Sequence, residues 1–160
     1  FDTSFPVADN EDTDLSYRVA TAGYKIKFNP AAVIYHQHPS TLKQYLRKKH
    51  SRAYWRVMVY KRFPGKAIRD SYTPQTLKLQ IGFVVLGAGA LMLIPLVPYV
   101  VYVAALAGGL FAATALPFLW QLPPEDTGLR LAAPFLLVCR AAVMATGLIR
   151  TVPMLVSKTN

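Results

Sequence analysis

Cysteine is nearly absent from this sequence, and charge is absent from a long part of it. The single cysteine, Cys139, excludes a disulfide within the chain and a metal site built from several cysteines. Residues 81–120 are 40 consecutive positions without Asp, Glu, Lys or Arg. A helix of that length would measure about 60 Å, twice the roughly 30 Å thickness of the hydrocarbon core of a membrane. The chain is therefore predicted to cross a membrane twice in this region.

Proline divides the uncharged run into two parts. Pro95 and Pro98 each lack a backbone N–H, and each disfavours helix in the residue before it. We therefore predict a helical hairpin of residues 79–97 and 99–120, within a transmembrane segment 77–120. The alternative is a hairpin buried in a large soluble protein, which the length of the run disfavours.

A third apolar stretch, residues 131–149 of a segment 121–160, carries a charge at its centre. Arg140 would cost about 2.5–3.5 kcal/mol in the middle of a spanning helix. The stretch either spans the membrane with Arg140 facing protein or water, or lies in the interface. In the second arrangement Arg130, Arg140 and Arg150 extend to the water. We favour the interfacial or tilted arrangement.

Acidic residues are scarce, with 8 Asp and Glu against 18 Lys and Arg. Ten of the basic residues fall within residues 43–69, which contain no acid. We predict a basic amphipathic interfacial helix and a linker over residues 41–76, on the cytoplasmic side of the membrane. The cations suit anionic lipid, a diphosphate or another anionic ligand, or nucleic acid, and the adjacent hairpin disfavours nucleic acid.

Most of the acids cluster near the beginning of the chain. Glu11, Asp12 and Asp14 fit the first turn of a helix, where the helix dipole favours anions. Asp14 and Arg18 have the spacing of an ion pair between neighbouring turns. The simplest interpretation of these acids is that they cap and stabilise the helix.

Two short strands are predicted after this helix. The sequence YKIKF, residues 24–28, alternates between apolar and polar side chains, and Pro30 interrupts the pattern. The sequence AVIYH, residues 32–36, makes the second strand, which ends at His36.

The stretch FDTSFPVADNEDTDLSYRVATAGYKIKFNPAAVIYH, residues 1–36, resembles the closing part of the catalytic domain in family 2 glycosyltransferases of the GT-A fold. The residues that match the motifs of the family are, in order, Phe1, Asp2, Phe5, Glu11, Asp12, Asp14, Leu15, Arg18, Gly23, Pro30 and His36. The resemblance implies an α/β fragment, the end of a Rossmann-like GT-A domain, over residues 1–40. It also implies that the chain begins inside a larger protein, whose upstream half binds the nucleotide.

The same resemblance implies an inverting transfer of a sugar from a nucleotide-sugar donor to a lipid-linked or polysaccharide acceptor. The general base would be Asp12, with Glu11 in support, because a carboxylate can take the proton of an attacking hydroxyl. Asp14 and Arg18 would have a structural role. Residues 1–160 alone are expected to have no transferase activity.

A divalent metal, Mn²⁺ or Mg²⁺, is the cofactor that the resemblance implies, with its main ligands in the upstream part. His36 stands where the strand-end histidine of some relatives completes that metal site. Many processive relatives carry Gln-x-x-Arg-Trp on an interfacial helix, and the nearest stretch here is HSRAYWR, with a different spacing. Arg52 and Trp55 in that stretch are the candidate ligands of the substrate diphosphate.

These expectations together describe a multi-pass protein of the bacterial inner membrane with its catalytic part in the cytoplasm. Its expected partners are the nucleotide-sugar donor, a glycan or lipid-linked acceptor and membrane lipids, and no nucleic acid. The rival hypothesis is a non-catalytic membrane scaffold whose basic helix binds anionic lipid or a partner protein.

Overall fold

The computed structural model describes residues 1–6, 8–70 and 73–153, which form six helices and no strand. The helices are α1 (Glu11–Thr21), α2 (Leu42–Arg62), α3 (Pro64–Ile68), α4 (Gln75–Leu93), α5 (Val100–Trp120) and α6 (Thr127–Ile149). α4 packs against α5, and α6 packs against both α2 and α4. The helices α2, α4, α5 and α6 therefore surround a common region at one end of the α4–α5 hairpin.

The predicted α/β architecture is wrong for the residues that the structure describes. Residues 24–28 and 32–36, predicted as strands, have no regular secondary structure, and their side chains are exposed. An alternating sequence forms a stable strand only when a neighbouring strand accepts its hydrogen bonds and covers its apolar face. Within the described ranges no such neighbour is present. The beginning of the chain is one helix followed by an irregular segment, and not the end of a Rossmann-like GT-A domain.

A small apolar cluster joins α1 to α2. Phe5, Tyr17 and Val59 form its buried centre. Three partly buried side chains pack around that centre: Trp55, Met58 and Phe63. Gly23 follows α1 with φ +85°, a left-handed conformation that glycine adopts without strain and that ends the helix. The cluster fixes one side of α1 on the second half of α2.

The α4–α5 hairpin packs through small side chains. Ala90, Ala107 and Ala115 are buried, and a Cβ built on Gly87 would lie 3.7 Å from Cβ of Ala107. Small residues let two helix backbones approach closely. The large apolar side chains of the hairpin, such as Leu106, point outward and are exposed. Three helices, α4, α5 and α6, are long and apolar enough to cross a membrane, which is consistent with a membrane protein.

α6 packs along the basic helix α2. Its buried residues Ala133, Leu137, Ala141 and Ala145 recur every four positions and so form one stripe along the helix. Further along, a Cβ built on Gly147 would lie only 2.5 Å from the carbonyl oxygen of His50, so the two backbones touch there. The third apolar stretch of the sequence therefore has one face covered by a polar helix and not by lipid.

Candidate functional site

The predicted general base lies exposed at the start of α1. Asp12 occupies the first turn of the helix, and its Oδ1 accepts hydrogen bonds from the backbone N of Thr13 at 2.6 Å and from Thr13 Oγ1 at 3.2 Å. Asn10 occupies the N-cap position but makes no side-chain cap. The Asp12 carboxylate is therefore held in place locally while it remains open to solvent.

The side chain of Asn10 instead ties the start of α1 to the middle of α2. Asn10 Nδ2 donates to the backbone carbonyl oxygen of Arg52 at 2.9 Å, and Ser51 Oγ donates to the carboxylate of Asp9. Three buried polar atoms of these residues have no hydrogen-bond partner among the residues that the structure describes: Asn10 Oδ1, Glu11 Oε2 and Arg52 Nε. The helix start that carries Glu11 and Asp12 is thus joined to the backbone of α2 at Arg52.

The predicted structural pair of α1 is part of a larger ionic cluster. The carboxylate of Asp14 is fully buried and accepts from Arg18 Nε and Arg62 Nη1, each at 2.9 Å. Arg62 Nη1 also lies 2.5 Å from Oδ2 of Asp2. The hydrogen bond to Asp14 raises the pKa of Arg62, so this guanidinium stays charged. These contacts hold both ends of the first 18 residues on α2.

Two other predicted ligands lie away from this junction. The indole of Trp55 packs in the apolar cluster, with its ring centre 6.2 Å from that of Phe5. His36 is exposed, and its ring centre lies 5.2 Å from that of His38. In the described ranges, no three His, Cys, Asp or Glu side chains gather where they could hold a metal ion. The metal that the family resemblance implies, with its main ligands upstream, stays a prediction.

A cavity of about 450 Å³ lies where α2, the start of α4, the end of α5 and α6 meet. We call it the basic cavity, because five cations and no described acid line it. The five cations are Lys49, Arg52, Arg56, Lys78 and Arg140. They come from three helices that are far apart in the sequence. Only folding brings these charges together.

One of the five cations has an acid beside it. Arg56 Nη1 lies 3.9 Å from Oδ2 of Asp70, whose carboxylate is buried. The hydroxyls of Tyr17 and Tyr60 also donate to that carboxylate. Burial, and then the hydrogen bond to Asp70, raise the pKa of Tyr17, so the hydroxyl remains a donor. Arg56 and Asp70 form a fixed, partly neutralised edge of the basic cavity.

The other four cations form no ion pair within the part of the chain that the structure describes. Arg140 Nη2 donates to Gln80 Oε1 at 3.0 Å, while its Nε is buried without a partner. Lys78 Nζ donates to a backbone carbonyl oxygen at 3.0 Å. Burial, and then the charges of Arg52 and Arg140, lower the pKa of Lys49. Within the described ranges, therefore, no acid neutralises these four cations of the basic cavity.

A second pocket, of about 460 Å³, adjoins the basic cavity. Phe118, Leu137 and Arg140 line both spaces. The remaining wall of this apolar pocket includes Leu129 and Ala133 of α6. An apolar chamber therefore lies directly beside a cationic one.

Sequence reasoning did not find the basic cavity. Lys49 and Lys78 were not predicted as site residues, because their positions in the sequence do not show that they lie near Arg140. The available signal was Arg140 itself, a charge at the centre of an apolar stretch. Such a charge needs polar surroundings, and Gln80 at the start of the hairpin provides part of them.

In comparisons with known proteins, no family model and no curated protein match the sequence, and no solved structure matches the fold. The family resemblance of residues 1–36 rests on the motif residues themselves.

Proposed function

We propose that this chain is the acceptor-side, membrane-bound part of an inverting glycosyltransferase that uses a nucleotide-sugar donor. The observation that carries the proposal is the exposed carboxylate of Asp12 at the start of a helix that is fixed on the basic helix α2. The ordered motif residues of the first 36 positions support it. So do three helices that are long and apolar enough to anchor the protein in a membrane.

In the proposed reaction, the hydroxyl oxygen of the acceptor forms a bond to the anomeric carbon of the donor sugar. The bond from that carbon to the phosphate oxygen breaks, and its electron pair leaves with the nucleoside diphosphate. Asp12 takes the proton of the attacking hydroxyl and releases it to water afterwards. Attack opposite to the leaving group inverts the configuration. Arg52 is the candidate cation for the leaving diphosphate, and its backbone carbonyl oxygen is joined to the start of α1 through Asn10.

The helix start suits a carboxylate that must be ionised before it can accept a proton. The dipole of α1 favours negative charge in its first turn. The hydrogen bond from the backbone N of Thr13 to Asp12 Oδ1, at 2.6 Å, stabilises the same charged form. Glu11, beside Asp12, adds a second carboxylate in the first turn of α1.

The test is the transfer rate of the full-length enzyme with Asp12→Asn. Because the amide cannot accept the proton, we expect the rate to fall by about 10²–10⁴. Glu11→Gln is the matched control and should be milder, since Glu11 only supports the base. A folded Asp12→Asn enzyme with near-normal transfer would remove Asp12 from the reaction. A full-length wild-type protein that transfers no sugar from any nucleotide donor would favour the membrane scaffold instead.

A further inference from the structure

We propose that the basic cavity binds the phosphate group of an anionic lipid whose headgroup ends in a phosphate monoester or diphosphate, with part of its apolar chain in the adjoining apolar pocket. This inference shares Arg52 with the proposed transferase reaction, but it is tested on Lys49 and Arg140, which have no part in that reaction. It rests on the composition of two adjoining spaces and on Arg140, the charged residue that lines both of them.

The charge of the basic cavity favours a ligand with more than one negative charge. Lys49, Arg52, Lys78 and Arg140 line it, all four are partly buried, and none has an acid partner among the described residues. In the same part of the chain the buried Nε atoms of Arg52 and Arg140 have no hydrogen-bond acceptor. Removing a charged group from water costs free energy unless an anion or a hydrogen-bond acceptor compensates it. Phosphate oxygens satisfy both requirements, because they accept charge-assisted hydrogen bonds from guanidinium groups.

The volume of the basic cavity fits a headgroup. About 450 Å³ lies within the usual range for small-ligand sites. Polar side chains that carry no charge complete the wall on the α4 and α5 sides, among them Gln80, Thr76 and Thr114. A phosphate with a small polar substituent would therefore meet both cations and neutral hydrogen-bonding groups.

The adjoining pocket favours a lipid over a free phosphate. Phe118 and Leu137 separate the two spaces and line both of them. Beyond them lie Leu129, Ala133 and Leu136 of α6, a helix apolar enough to enter a membrane. A water-soluble anion would use the basic cavity alone. An amphipathic lipid would use both spaces, and the same Arg140 would lie at the junction of its headgroup and chain.

Binding can be measured on the purified full-length protein with three soluble probes: dioctanoyl phosphatidic acid, dioctanoyl phosphatidylcholine and inorganic pyrophosphate. We expect phosphatidic acid to bind at least about tenfold more tightly than either of the other two. Lys49→Gln and Arg140→Gln should each weaken phosphatidic acid binding by about ten- to a hundredfold, in line with the loss of a charged hydrogen bond. Arg47→Gln, an exposed cation on α2 outside the cavity, is the matched control and should leave binding unchanged.

Each remaining outcome would overturn the proposal. Equal binding of phosphatidic acid and phosphatidylcholine would show that the site does not recognise the phosphate monoester. Pyrophosphate binding as tight as that of phosphatidic acid would show a site for free anions. Unchanged affinity in a folded Lys49→Gln or Arg140→Gln protein would place the ligand elsewhere. Melting temperature serves as the folding control. Because the two residues lie on different helices, one variant that folds is enough to test whether the lipid binds in the basic cavity.

Discussion

Arg62 Nη1 lies 2.9 Å from Asp14 Oδ1, across 48 positions of sequence, and joins α1 to the last turn of α2. The carboxylate of Asp14 is buried, whereas the side chain of Arg62 remains 35% exposed. The contact therefore neutralises the buried charge of α1 with a cation that is still partly hydrated. Asp14 is engaged in this way, whereas Asp12 of the same helix is exposed to solvent.

We first predict that Asp14→Asn lowers the stability of the protein by about 1.5–3 kcal/mol, the typical contribution of hydrogen bonds to charged groups. The change leaves Arg18 and Arg62 without their shared anion. Thermal unfolding of the purified full-length protein measures the effect. Asp12→Asn is the control and should stay within about 0.5 kcal/mol, since exposed substitutions usually do. Equal melting temperatures for wild type and Asp14→Asn would contradict the assigned role of Asp14.

Gly147→Ala should disturb the contact of α6 with α2. The added Cβ would lie 2.5 Å from the carbonyl oxygen of His50, which is backbone and has to move with its helix. Overpacking of this kind typically costs about 1–3 kcal/mol. Gly109→Ala in α5 is the matched control, because its Cβ would meet nothing within 4 Å. Melting temperature should fall for the first variant and stay level or rise for the second; the reverse order would contradict the described packing.

The ion pair between Asp2 and Arg62 should give stability a dependence on acid pH. Hydrogen bonds from the backbone N and side chain of Ser4, and then Arg62, lower the pKa of Asp2 from 3.8 to about 2. A lowered folded-state pKa means that the stabilising contribution is present above pH 3.8 and is lost as the pH falls towards about 2.

The difference in melting temperature between wild type and Asp2→Asn isolates this group from the other acids. We expect the difference to be constant above pH 3.8 and to shrink as the pH falls towards about 2. A difference that grows as the pH falls would mean that the charged form of Asp2 does not stabilise the fold.

The fourth prediction concerns membrane topology. From the ten cations of residues 43–69 we expect the basic helix to lie in the cytoplasm, and a two-helix hairpin would return the loop at residues 121–126 to the same side. In a Cys139→Ser background, single cysteines at Arg47 and Glu125 should be protected from an impermeant maleimide in intact cells. A cysteine at Leu96, in the turn of the hairpin, should be labelled. Labelling at Arg47 or Glu125 would contradict this topology.

The sequence allowed the apolar helices to be predicted because their signal is local. An uncharged run with two prolines suffices to indicate a hairpin, and the structure has α4 and α5 on either side of a turn at residues 94–99. The strands could not be predicted in the same way. A strand is stable only beside a second strand, and the alternating pattern of residues 24–36 does not show whether one is present. The alternation was therefore not sufficient to form strands.

The candidate site divides along the same line. Glu11 and Asp12 were found from a contiguous motif, and their position at the start of α1 follows from it. The basic cavity depends on Lys49, Lys78 and Arg140, which meet only through the packing of α2, α4 and α6. The spacing of these residues along the chain does not indicate that they lie close together in the fold. The sequence signal for the cavity was Arg140, a charged residue in an apolar stretch.

The close contact of α6 with α2 has a consequence for biogenesis. Since α6 is synthesised last among the described helices, α2 emerges from the ribosome, and the α4–α5 hairpin can enter the membrane, before the wall that α6 supplies exists. During that interval the cations of α2 face solvent or lipid headgroups as an open surface. The basic cavity therefore comes into being only when α6 docks on α2 and α4.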